Sequence, residues 1–122
     1  RGLGTTVKEI NDAVGDEEYV EKISFSAYES VKEKLTGKKF VIVCGIEAHI
    51  CVMQTVIDLA AAGYVPVIIE DCISSRKESD KKAAIKRMRS EGAVVATYES
   101  ILFELLKVAG TEESKKIQRL IK

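Results

Sequence analysis

Three short apolar runs, Lys39–Gly45, Val65–Glu70 and Ala93–Tyr98, are each followed by a stretch of helical periodicity. Their starts lie about 25 and about 28 residues apart, the length of a right-handed crossover between neighbouring parallel strands. The runs are β-branched and continuously apolar, as expected of strands covered on both faces. They predict an α/β fold, a three-layer α/β/α arrangement with a parallel sheet and helices on both faces. In such sheets, sites lie beyond the C-terminal ends of the strands. Cys51, Asp71 to Arg76 and Tyr98 to Ser100 fall on that edge.

The first run carries the chemistry. Phe40 to Cys44 breaks at Gly45 and resumes as a helical pattern at about His49, a strand–turn–helix signature. Cys51 then falls in the first helical turn, near unpaired N–H groups and the positive end of the helix dipole. A thiol so placed is biased toward thiolate and toward nucleophilic reaction, against the plain alternative of a small buried hydrophobe. Cys44, inside the strand, and Cys72, in a loop spanning Cys72 to Ser75, take that plain reading. His49 projects roughly 160° away from Cys51 at ~100° per residue and is poorly placed as its base. Glu47 lies in the turn, where its backbone N–H and that of Cys51 suit an oxyanion cradle. Lys22 is an isolated cation in an apolar, extended segment, solvated by default.

The remaining elements follow from periodicity and punctuation. A short helix begins near Thr5 or Thr6 as cap, and Gly15 to Glu18 forms a solvated turn. Tyr19 to Ile23 alternates like a strand. Ser26, with Glu29 three residues on, predicts a capping box for a helix from Ala27 to Leu35 that Gly37 ends. The helix after the first strand runs from His49 to Ala62 and closes at Gly63. Its inner face comprises Ile50, Met53, Ile57, Ala60 and Ala61. The next helix starts near Ser79 or Asp80 and ends at Gly92, with Ala84, Ile85 and Met88 inward and its lysines and arginines solvated. Helices over Ser100–Val108 and Thr111–Lys122 complete the chain.

Composition excludes several classes. A chain of 122 residues, 46% hydrophobic with one proline, makes a single folded domain. Nineteen basic residues balance nineteen acidic ones, against the basic surplus that nucleic-acid binding needs. No apolar run is long enough for a membrane span, and no signal peptide is visible. Three cysteines suggest no disulfide framework, and a reducing cytoplasm is the expected setting. One histidine and no CxxC leave too few ligands for zinc, and no glycine-rich phosphate loop is present.

The segment Val41-Ile42-Val43-Cys44-Gly45-Ile46-Glu47-Ala48-His49-Ile50-Cys51-Val52 resembles the nucleophile turn of the isochorismatase-like cysteine hydrolases, the superfamily that also holds nicotinamidases. Glu21 to Tyr28 is similar to that family's lysine segment. Gln54 to Leu59, Gly63-Tyr64, Asp71 to Arg76, Arg87-Met88 with Gly92, and Glu99 to Leu105 resemble its later elements. The resemblance implies that Cys51 is the nucleophile and that Lys22 lowers the thiol pKa and assists the tetrahedral intermediate. It implies a non-proline cis peptide at Ile46–Glu47, with Ile46, Glu47 and Phe25 forming the oxyanion and substrate site. It implies a small-molecule substrate, no cofactor, and a homo-oligomer.

The family's third catalytic residue is an aspartate upstream of the lysine, and here Asp12 and Asp16 lie in polar, turn-like sequence that does not fit. The first two strands of the family's sheet also lack counterparts, about 60 residues as two strand–helix units. The chain, which opens Arg1-Gly2-Leu3-Gly4, is expected to be the C-terminal two-thirds of a hydrolase domain. A companion N-terminal fragment would then supply the aspartate. The rival expectation is a non-catalytic interaction module that retained the fold. A redox-sensing thiol protein is a third.

Overall fold

A computed structural model describes residues 4–15 and 19–121. Helix α1 (Lys8–Val14) comes first; residues 19–27 are irregular and lead into helix α2 (Tyr28–Val31), which tightens into a 3-10 turn over Lys32–Leu35. Strand β1 (Phe40–Ile46) leads through a wide turn, Ala48–Val52, into α3 (Met53–Ala61). Then follow β2 (Val65–Ser74), α4 (Glu78–Ser90), β3 (Val94–Ala96), α5 (Tyr98–Leu106) and α6 (Glu112–Leu120). The three strands form one parallel sheet in the order β1-β2-β3.

The crossover helices α3 and α4 bring Val56, Ala84, Ile85 and Met88 together with Ala48 and Val52 of the wide turn and Ile68 and Ile73 of β2 into the core. Central strand β2 is buried from Pro66 to Ile69. Edge strand β1 alternates instead. Val43 packs toward the core, while Phe40, Ile42, Cys44 and Ile46 are exposed on the other face.

Several sequence expectations need correcting. The buried face of α3 is Thr55, Val56 and Leu59, with Val52 just before it, rather than the face containing Ile57, Ala60 and Ala61. Apolar residues flank Gln54 and Asp58 on both sides, and Thr55, polar by type, turns inward because its hydroxyl is bonded to both Ala27 and Cys51. Cys72 to Ser74 are not loop but the end of β2. The register slips between Val43 and Gly45, the surplus residues of β2 are taken up there, and pairing resumes at Gly45↔Ile73 and Ile46↔Ser74. β3 stops at Ala96 because Thr97 caps α5. The Ser100 N–H donates to Thr97 Oγ1 at 3.3 Å, and the Thr97 N–H donates back to Ser100 Oγ at 2.9 Å.

The expected Ser26–Glu29 box does not form. Ser26 Oγ accepts the Tyr28 N–H at 3.2 Å, whereas the Glu29 carboxylate pairs with Lys32 at 2.8 Å. Neither Thr5 nor Thr6 caps α1, whose N-cap position is Val7. Tyr19 to Ile23 is irregular and open, not a strand. The turn expected at 15–18 falls largely outside the described residues. Gly63 closes α3 as expected, with φ 87°, its N–H on the Ala60 carbonyl and the Tyr64 N–H on that of Leu59.

Candidate active site

At the C-terminal end of β1 the backbone turns sharply. Gly45 has φ 128°, a conformation that side chains other than hydrogen resist. The next peptide, Ile46–Glu47, is cis. The Glu47 carbonyl then accepts the N–H groups of Ile50 at 3.1 Å and Val52 at 3.2 Å. The second of these spans five residues, a π-type closure wider than an α-helical turn. Cys51 lies in that turn, half-buried, with a free thiol. The sequence places Cys51 in the first α-helical turn; the structure places it one wider turn earlier, directly before α3.

The Glu47 side chain is the hub of a polar cluster. Arg76 Nε donates to Glu47 Oε1 at 2.7 Å, and the Arg76 backbone N–H donates to Oε2 at 3.3 Å. His49 Nδ1 lies 3.5 Å from Oε2 and 2.9 Å from Ser75 Oγ, and Nε2 lies 3.9 Å from Asp80 Oδ2. Both ring nitrogens of His49 therefore face polar groups at the end of β2 and the start of α4. Sequence reasoning did not find Arg76, Ser75 or Asp80 as partners of the turn. They come from a different strand–helix unit, and no local pattern joins the two.

Lys22 sits in the segment before α2. Its ammonium donates to the carbonyls of Ser24 and Phe25, each at 2.8 Å. The Phe25 ring is exposed, as is Ile46. Two residues beyond Phe25, the Ala27 N–H donates to Thr55 Oγ1 at 2.9 Å. Thr55 in turn donates its hydroxyl to the Cys51 carbonyl at 2.7 Å. Thr55 is thus the covalently remote link between the lysine segment and the cysteine turn. A second contact holds the same segment, the Tyr28 ring meeting that of Tyr64 edge-on at 6.4 Å between centroids.

The other two thiols differ. Cys44 and Cys72 are exposed on neighbouring strands. The Cys72 thiol is pushed above its usual range by lost hydration, by the Asp71 carboxylate and by the nearby Cys44. Among the described residues no group of three or more His, Cys, Asp or Glu is placed to hold a metal ion. None of the described helices is long and apolar enough to cross a membrane.

A parallel sheet flanked by helices, with a strand–turn–helix junction carrying the cysteine, defines an α/β protein with the isochorismatase-like fold. The Isochorismatase domain matches residues 2–100, and the chain belongs to that family. It is 38% identical to the secreted isochorismatase effector Isc1 of Phytophthora sojae, over 98% of this chain and 61% of that protein. It is 37% identical to isochorismatase domain-containing protein 2A of Mus musculus, over 99% of this chain and 59% of that protein. The chain therefore spans about 60% of these relatives' length.

Among solved structures it is similar to the MAR1 ribonuclease of Caenorhabditis elegans, with TM-score 0.77 and 35% identity, over 82% of this chain and 53% of that one. It is also similar to nicotinamidase PncA of Bacillus subtilis, with TM-score 0.63 and 26% identity, over 72% and 51%.

Proposed function

We propose that the protein is a cysteine hydrolase of small amides or related acyl compounds, with Cys51 as nucleophile. The observation that carries this reading is the junction itself. A half-buried free thiol stands in a widened turn directly beyond a strand end, after a Gly45 with positive φ. The thiolate attacks the substrate carbonyl, the amine leaves with a proton, and water cleaves the resulting thioester to the acid and the free thiol. The N–H groups of Glu47 and Cys51 stabilise the oxyanion. Lys22 assists the tetrahedral intermediate through its positive charge, and Ile46 and Phe25 border the substrate. The thiol proton would go to the aspartate that the family resemblance implies, a role for which neither Asp12 nor Asp16 fits.

A small neutral substrate accords with the equal numbers of acidic and basic residues better than RNA, the substrate named for the nematode neighbour. The likeness to a nicotinamidase supports an amide. The test is turnover of a panel of small primary amides by the protein and by Cys51→Ala. Turnover that disappears in a folded Cys51→Ala supports the reading, and turnover that persists refutes it. Iodoacetamide labelling mapped by mass spectrometry separates the rival interaction module. A nucleophile labels near neutral pH well ahead of Cys44 and Cys72, whereas a module labels all three slowly.

A further inference from the structure

We propose that Thr55 is a positioning residue for the hydrolase reaction, locking the segment that carries Lys22 onto the turn that carries Cys51; this rests on the reading of Cys51 and Lys22 given above. A threonine hydroxyl bonded to the carbonyl four residues back is ordinary in helices and by itself signals nothing. Here the same oxygen is also an acceptor. It takes the Ala27 N–H at 2.9 Å, from a segment 28 residues away in the chain, while donating to the Cys51 carbonyl at 2.7 Å. Thr55 is 9% exposed, so neither bond is readily replaced by water.

The chain of contacts is short and directional. The Lys22 ammonium is tied to the Ser24 and Phe25 carbonyls, Phe25 lies two residues before Ala27, and Ala27 is bonded to Thr55. Thr55 then holds the backbone of Cys51 itself. A hydroxyl is the smallest group that accepts from one partner and donates to the other. Valine has the same shape but does neither, leaving the Ala27 N–H unmet at a part-buried position. Serine keeps both bonds and loses only the methyl group.

The experiment follows the pH dependence of Cys51 alkylation by iodoacetamide, read at the Cys51 peptide, in the wild type, Thr55→Val, Thr55→Ser and Lys22→Ala. Removing a hydroxyl that holds both the Ala27 N–H and the Cys51 carbonyl loosens the cysteine turn, so labelling at neutral pH slows by about fivefold. The expected result is slower labelling across the pH range in Thr55→Val and in Lys22→Ala, with Thr55→Ser close to wild type. A Thr55→Val protein with the wild-type profile overturns the proposal, as does a Thr55→Ser that fails to restore it. If Lys22→Ala slows labelling and Thr55→Val does not, the positioning role fails alone and the lysine's role stands. If Lys22→Ala does not slow it either, both fail. Should Thr55→Val not fold, amide exchange in the wild type decides. An Ala27 N–H protected to the level of the α3 amides supports the lock, and one that exchanges at the free rate overturns it.

Discussion

Removing the Glu47 carboxylate costs more stability than removing the guanidinium that binds it. Glu47 is 19% exposed at its side chain and Arg76 75%, so the ion pair between them is well hydrated on one side. Exposed pairs contribute about 0.2–1 kcal/mol, and Arg76→Ala should cost that much. In that variant the backbone N–H of residue 76 still donates to Glu47 Oε2, so part of the latch survives. Glu47→Ala removes the acceptor for both Arg76 donors and the carboxylate beside His49 Nδ1. At roughly 1 kcal/mol per hydrogen bond, discounted for exposure, its cost is about 1–2 kcal/mol.

Urea denaturation of both variants at low salt and at about 1 M salt, where the screening length falls to about 3 Å, separates the two contributions. The Arg76→Ala cost should shrink in high salt, and most of the Glu47→Ala cost should remain. An Arg76→Ala cost equal to or above that of Glu47→Ala, or one indifferent to salt, refutes the reasoning. Because the cradle proposed for the oxyanion uses the Glu47 backbone, Glu47→Gln, which keeps one acceptor, should lose less amide turnover than Glu47→Ala.

Met88 is fully buried between α4 and the sheet, so Met88→Ala should destabilise by about 2–5 kcal/mol in the same denaturation experiment; a cost under about 1 kcal/mol would contradict its place in the core. The raised pKa of Cys72 keeps its thiol protonated at pH values where the unfolded chain has released the proton. Any stability it contributes is therefore present below the ordinary thiol range and lost as pH rises through the raised value. Cys72 labelling by iodoacetamide should accordingly need higher pH in the folded protein than in urea, and coincident curves would contradict the shift.

Periodicity was enough to read the three parallel strands, the crossover helices and the inward face of α4, where Ala84, Ile85 and Met88 stand apart from a charged remainder. The cis peptide now seen at Ile46–Glu47 was implied by the family resemblance of Val41 to Val52 and not by spacing. The strands, the helices and the inward face of α4 are local properties, in which spacing and residue type settle strand, helix or turn within a few neighbours. The rotation of α3 was not local, because Thr55 is polar by type and is buried only through hydrogen bonds to Ala27 and Cys51. The length of β2 depended on where β1 pairs with it again after the register slip. The bonds that join Glu47 to Arg76 and Thr55 to Ala27 cross 29 and 28 residues of chain. No periodicity encodes such pairs, since they exist only once two strand–helix units have packed and their polar groups must find partners away from water.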